Sequence, residues 1–218
     1  MNDKHRQERE RSMWERRATT YDGEMMRTYR DAYARSVDRA LAVAQPTSRV
    51  LEMGCGTGII AMGVAPHVAQ VIGTDLSPQM IAVAQDKARS QGAANVEFRV
   101  ADGYSQPFDD ASFDVVLLFN LLHVVEQPEA LLREARRLLK PAGYLVTATD
   151  CYAETPSLKA WSMMVGLRLL KLVGALRVVQ FYKQRDLHRL FEQAGLTVAE
   201  TDVLHPAPVN YYVLARKG

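Results

Sequence analysis

Val50-Leu51-Glu52-Met53-Gly54-Cys55-Gly56-Thr57-Gly58-Ile59 is the stretch on which the fold turns. A short apolar strand runs into a G-x-G-x-G turn, and a helix opens directly behind it. A side chain at these glycines would block close approach of a ligand to the backbone or forbid the turn. The first turn of the helix leaves amide N–H groups facing the same space. Alone, the motif says only that a strand-turn-helix receives a ligand, since dinucleotide-binding folds share its general form.

Working outward, strands and helices alternate. Arg49–Met53 reads as the first strand and Thr57–Ala65 as a helix closed by Pro66. Gln70–Thr74 is a second strand. Ser77 caps the next helix, Pro78 takes its first position, and Gly92 lies just past its end. Val96–Val100, the strongly apolar and therefore central Phe113–Phe119, and Tyr144–Thr149 are further strands, with a helix over Pro128–Leu139. Two helices, Asp3–Tyr21 and Glu24–Ala44, precede the first strand. After Thr149 the rhythm changes: an apolar-basic helical stretch spans Ser157–Val179 and a helix spans Lys183–Ala194. Leu196–Thr201 and Tyr211–Arg216 are two closing strands, read as an antiparallel pair. The expected fold is α/β, a mostly parallel seven-stranded sheet with flanking helices and a helical lid inserted after strand five. One domain fills residues 1–218: covering helices to 45, a ligand-binding core over 46–150, the lid over 151–185, and a final helix and strands over 186–218.

Three carboxylates narrow the ligand. Glu52, just before the turn, attracts the amino group of an amino-acid-like ligand and repels a pyrophosphate. Asp75 ends the second strand, where its carboxylate can accept both hydroxyls of a ribose. Asp102 follows the third strand and can accept from an exocyclic adenine amine, with Gly103 leaving room for the ring.

With those residues in place, the chain resembles the class I S-adenosylmethionine-dependent methyltransferases of Rossmann-like fold, in the broad small-molecule group called type 11. The matching stretches are Val50–Ile59, Gly73–Ile81, Val100–Asp102, Phe113–Val124 and Leu138–Val146, roughly the middle half of the chain. The resemblance implies S-adenosylmethionine as cofactor and no metal. It assigns Glu52, Gly54, Cys55, Gly56 and Gly58 to the methionine end, Asp75 to the ribose, Asp102 and Gly103 to the adenine, and Phe119 to the cofactor's flank. Leu76 and Met80 pack near the nucleoside or are plain core. Met13–Asp22 is similar to the helix that closes over the cofactor in these enzymes. Tyr21 within it touches the cofactor carboxylate, lines the acceptor pocket, or only packs.

Methyl transfer needs an electron-rich atom in line with the sulfonium methyl, and a general base only where the acceptor must lose a proton. Asn120 and His123 follow the fourth strand, at the carboxyl end of the sheet where ligands bind. Asn120 can orient an acceptor, and His123 can take a proton near neutral pH or merely cap a helix. Asp150 and Cys151 follow the fifth strand. Nothing supports Cys151 as a methyl relay. Asp150, Trp161, Tyr182, His205, Asn210 and Tyr211 are the candidate acceptor contacts. The lid carries Trp161, Met163, Met164, Leu167, Leu169, Leu170, Leu172 and Val173. Its basic side chains are Lys159, Arg168, Lys171, Arg177, Lys183 and Arg185, with no acid from Ser157 to Arg185. It reads as a surface helix burying one face, a greasy acceptor pocket, a contact for an anionic substrate, or a transient membrane-surface contact.

Composition excludes little. The 218 residues are 48% apolar and 24% charged, and the net charge of +2 gives no global field for nucleic acid. The Asn/Asp-Pro-Pro-aromatic motif of amino-methylating DNA enzymes is missing at Phe119-Asn120-Leu121-Leu122. Cys55 and Cys151 form no metal-ligand spacing or disulfide framework. No apolar stretch is long enough for a membrane span and no secretion signal is evident, so a cytoplasmic location is expected. The acceptor is expected to be a small molecule, apolar or anionic, methylated at O, N or S. Nucleic-acid or protein methylation, or cofactor binding without turnover, are the alternatives. The oligomeric state is not legible.

Overall fold

The computed structural model describes residues 3–154, 157–172 and 178–217, the side chains of 3, 4, 9, 13 and 159 excepted. Val173, Arg177 and the side chains of Met13 and Lys159, all named above, therefore lie outside the described residues.

Seven strands form one sheet: β1 (Arg49–Met53), β2 (Gln70–Asp75), β3 (Val96–Val100), β4 (Phe113–Phe119), β5 (Leu139–Asp150), β6 (Leu196–Pro206) and β7 (Val209–Lys217). Their order is β3-β2-β1-β4-β5-β7-β6. The first five run parallel; β7 is antiparallel to β6, as expected, and also to β5. The order reverses between β1 and β4. A crevice opens at such a switch point, outside the carboxyl ends of the strands. Glu52 at the end of β1, Asp75 at the end of β2, Asn120 just past β4 and Asp150 at the end of β5 all converge there.

Period-two alternation divides β4 between two cores. Val116 and Leu118 join Leu131, Leu132 and Leu138 of α5 (Pro128–Leu138) and Leu187, Leu190 and Phe191 of α7 (Gln184–Gln193). Val115, Leu117 and Phe119 face the opposite layer, α2 (Tyr21–Leu41), α3 (Ile59–Val64) and α4 (Pro78–Ser90). Ser77 caps α4 as expected, its Oγ accepting from the Met80 N–H at 3.2 Å.

Boundaries differ from the sequence reading where turns intervene. The first helix, α1, covers Asp3–Glu15 and stops short of Tyr21. The Arg17 carbonyl accepts from both the Thr20 and Tyr21 N–H groups, which closes a turn and makes Tyr21 the first residue of α2. β5 begins at Leu139, not Tyr144. Its early residues pair with Phe113, and the register shifts before Val115, so the expected turn at Pro141–Gly143 is an irregularity within a strand. The inserted element after β5 is α6 (Leu158–Leu172).

Candidate functional site

Three neighbouring cavities sit along the crevice, and their shared walls define one path. The smallest, about 30 Å³, is lined by Glu52, Gly54, Cys55, Gly56 and Phe119, together with Tyr21, Tyr33 and Asn120. Gly54 also lines a second cavity of about 70 Å³ with Asp75, Leu76, Asp102, Gly103, Tyr104 and Gln106. Tyr21, Tyr33 and Asn120 also line a third chamber, of about 240 Å³, with Trp14, Tyr29, His123, Asp150, Tyr152, His205 and Asn210.

The glycine turn is built as its sequence implies. Gly54, Gly56 and Gly58 have φ of 71°, 54° and 78°, a region that L side chains rarely adopt. A Cβ on Gly54 would also stand 2.7 Å from Leu121. Gly58 lines none of the three cavities. Its missing side chain instead admits the Phe98 ring, which a Cβ would approach to 2.5 Å, so its role is packing. Met80, 2% exposed, is likewise core rather than a wall of these cavities. Asp75 ties the turn to β2, its carboxylate accepting the Gly56 N–H at 3.0 Å and the Ser77 N–H at 2.8 Å. Asp22 adds a clamp from α2: it accepts from the Thr57 hydroxyl and pairs with Lys87, whose Nζ also donates to the Thr57 carbonyl at 2.9 Å.

Glu52 is 2% exposed and accepts one hydrogen bond, from the Ala61 N–H at 2.8 Å. Burial pushes its carboxyl up to about 8, with the Asp75 charge adding to the rise, so at pH 7 it is chiefly the neutral acid. An ammonium group arriving beside it reverses that balance and favours the carboxylate. Binding of an α-amino-acid ligand at pH 7 is therefore expected to release up to about one proton. Calorimetry in buffers of different ionisation enthalpy measures the release, and Glu52→Gln should abolish it. Zero release in the wild type would contradict the assignment of Glu52 to the amino group.

The second cavity departs from expectation. Burial raises the Asp102 carboxyl, but hydrogen bonds from Arg6 and Gln7 and the Tyr104 N–H hold it below the usual carboxylate range. Both oxygens are engaged: Arg6 pairs with them, Gln7 Nε2 donates at 2.9 Å and the Tyr104 N–H at 3.1 Å. Glu10 extends the α1 contact, accepting from the Tyr104 hydroxyl at 2.7 Å and the Glu126 N–H at 2.9 Å. Gln106, which the sequence reading passed over, is 6% exposed, and its Oε1 is buried with no partner. Its Nε2 donates to the Asp102 carbonyl at 3.1 Å, which fixes the orientation of the amide. A buried acceptor with no partner fits an arriving amine donor. Gln106→Leu is therefore expected to weaken binding of an adenosine ligand by about three- to tenfold, the worth of one neutral hydrogen bond. Unchanged affinity by calorimetry would assign Gln106 to packing alone.

The large chamber is aromatic. Tyr21 and Tyr33 share a hydrogen bond at 3.0 Å where it meets the glycine turn. Tyr29 stacks edge-on with His205, and Tyr152 edge-on with His123. Across from them Asp150 is held by Asn210 Nδ2 at 2.7 Å and the Tyr152 hydroxyl at 3.1 Å, and Asn210 Nδ2 also donates to Asn120 Oδ1 at 2.8 Å. Asn120 has φ of 54°, an unusual conformation for a side-chain-bearing residue and one that recurs at functional sites. His123 Nε2 stands 3.9 Å from Asp150 Oδ2, beyond hydrogen-bond reach, and its Nδ1 is buried with no partner. Burial lowers the His123 pKa more than Asp150 raises it, so the ring is neutral at pH 7.

Of the expected acceptor residues, Tyr21, Asn120, His123, Asp150, His205 and Asn210 share this chamber. Three do not. Trp161 is 51% exposed on α6, and Tyr182 packs against the α5–α7 core. Tyr211 is buried on β7, its hydroxyl 2.8 Å from His188 Nε2. Cys55 and Cys151 are both buried, which pushes both thiols up and away from nucleophilic use. Tyr29, Tyr33 and Tyr152 were missed because single tyrosines on helices and after a strand carry no motif. Among the described residues no His/Cys/Asp/Glu group could hold a metal ion.

This donor set fits S-adenosylmethionine: a buried carboxyl at an open-backed turn, a carboxylate at the end of β2, and an unpartnered amide oxygen beyond it. Comparison with known proteins agrees. The family model Methyltransf_11, a methyltransferase domain, matches residues 51–147. The uncharacterized methyltransferase YcgJ of Bacillus subtilis is 32% identical over 60% of this chain and 54% of its own, so the chain spans about half the length of that relative. The demethylmenaquinone methyltransferase of Tropheryma whipplei is 29% identical over 85% of this chain and 82% of its own. In fold, the chain is similar to a putative methyltransferase solved in complex with the Haloferax volcanii Trm112 activator (TM-score 0.77, 18% identity, covering 94% of this chain and 97% of that one). The chain belongs to the class I S-adenosylmethionine-dependent methyltransferases, in the type 11 group, and S-adenosylmethionine is its cofactor.

Proposed function

We propose that this protein methylates an O, N or S atom of a small, planar and uncharged molecule held in the aromatic chamber, releasing S-adenosylhomocysteine. The observation that carries this reading is the shared wall: Tyr21, Tyr33 and Asn120 border both the glycine-turn cavity and the chamber. When bound, S-adenosylmethionine supplies a sulfonium methyl open to direct displacement. The chain's own work is then positioning, exclusion of water and custody of one proton. The aromatic walls hold a planar ring. Asn210 and Tyr152 fix Asp150. His123, neutral at pH 7, takes the acceptor's proton on Nε2, and Asp150 steadies the resulting cation.

Charge argues against an anionic acceptor. The chamber holds Asp150, and its one arginine, Arg17, already pairs with Glu24. Arg168 and Lys171 line none of the three cavities: Arg168 lies over the Phe181 ring and Lys171 donates to the Val179 carbonyl at 2.6 Å. The relative named for demethylmenaquinone supports a neutral ring as acceptor.

A methyl-transfer screen over phenols, thiols, amines and aromatic carboxylates, read by release of S-adenosylhomocysteine, tests the reading. Turnover is expected with neutral phenols, thiols or amines. Turnover confined to carboxylates would overturn it.

A further inference from the structure

α6 carries two apolar faces, and the fold covers only one. Ala160 is buried and Met163, Met164 and Leu167 are half-buried. On the opposite side Leu158, Trp161, Leu169 and Leu172 are 80%, 51%, 57% and 82% exposed. With half-buried Val165 they recur at intervals of three or four residues, one continuous stripe along a 15-residue helix. With Leu170 added, five of the six large exposed apolar side chains in the described residues lie on this one helix. Scattered exposed leucines need no explanation, but a stripe of this kind marks a contact surface.

We propose that this face of α6 lies on an anionic lipid surface. Charge selects that occupant over a second copy of the chain. The sequence holds no acidic residue from Ser157 to Arg185, whereas exposed Arg168 borders the stripe and Lys183 and Arg185 follow it; Lys171 lies toward the covered side, its Nζ on the Val179 carbonyl. Two such helices face to face would set like charges together with nothing to offset them. An anionic headgroup layer accepts both the charge and the apolar stripe. Trp161, with an apolar ring and one N–H donor, suits that interface. The contact is with the surface only: no helix among the described residues is long and apolar enough to cross a membrane.

α6 is also hung from the chamber at both ends. Tyr152 lies on the chain leading into it. Beyond it, the Gln180 N–H donates to the His123 carbonyl at 2.8 Å, and the Ala153 N–H donates to the Tyr182 carbonyl at 3.0 Å. A docked α6 holds the chamber beside the lipid, within reach of an acceptor dissolved there. The docking itself rests on α6 alone and stands whether or not the acceptor reading holds.

Flotation of the full chain with vesicles tests it. The protein is expected to float with vesicles of phosphatidylglycerol and phosphatidylcholine, to stay behind with phosphatidylcholine alone, and to lose partition as salt rises. Leu169→Gln with Leu172→Gln should cut the partition at least about tenfold, since both side chains leave the lipid contact. An unchanged thermal transition and unchanged S-adenosylhomocysteine binding verify that this variant folds. Equal flotation of variant and wild type, or no flotation of either, would overturn the proposal. A dimer of the wild type in light scattering that the double variant dissolves, without flotation, would assign the stripe to a second copy instead.

Discussion

Asp75→Ala is expected to weaken S-adenosylmethionine binding by about 30- to 1000-fold, roughly 2–4 kcal/mol for charged hydrogen bonds. Two losses combine. The ribose hydroxyls lose a paired acceptor, and the glycine turn loses its tie to β2, because the same carboxylate accepts the Gly56 and Ser77 N–H groups. Burial raises the Asp75 carboxyl, and the backbone donors partly oppose that rise, so the site holds a charge at some cost even before ligand arrives. Asp75→Asn separates the two losses, since its amide retains one carbonyl acceptor of the same shape. It should fall between wild type and alanine in calorimetric titration. Unchanged affinity in the alanine variant, with its fold verified by thermal melting, would remove Asp75 from the cofactor site.

His123→Ala is expected to lower kcat by about 10²- to 10⁴-fold for an acceptor that must lose a proton, with cofactor affinity unchanged. His123 borders the chamber but not the two cavities assigned to the cofactor, so the two readouts should separate. The pH dependence follows from the shift. Burial lowers the ring's pKa below 6.5, so the wild-type rate should rise through a value below 6.5 and stay flat above it. Stability follows the same sign. The unfolded ring takes up a proton more readily than the buried one, so stability attributable to His123 is present above pH 6.5 and falls as pH drops below it. A variant within about threefold of wild type, or one that keeps the acid limb, would take His123 out of the mechanism.

Period and punctuation made the fold legible in the chain. Val50–Ile59, the caps at Ser77 and Gly92, and the alternating strands are local signals, and the sheet follows from them. The placement of Glu52 and Asp75 at the crevice was readable to the same degree, because both are fixed by strand ends. Asp102 shows where local reading stops. It lines the second cavity, but Arg6 and Gln7, 96 and 95 residues away, take its oxygens and leave Gln106 as the open acceptor. The acceptor side is assembled from α2, the β4 and β5 ends and the β6–β7 turn, so Tyr29, Tyr33 and Tyr152 could not announce themselves. The apolar and basic content of the lid was legible, with a surface helix, an acceptor pocket and a membrane-surface contact all open; which side chains stay exposed depends on the orientation of α6, none of whose described residues lines the chamber.

A crystal structure of the protein with S-adenosylmethionine tests the central claim most directly. The expected result has the amino group at Glu52, the ribose hydroxyls on Asp75 and the methyl-bearing end at the wall of Tyr21, Tyr33 and Asn120, open to the chamber of His123 and Asp150. A cofactor bound elsewhere, or one whose methyl faces away from that wall, would contradict it.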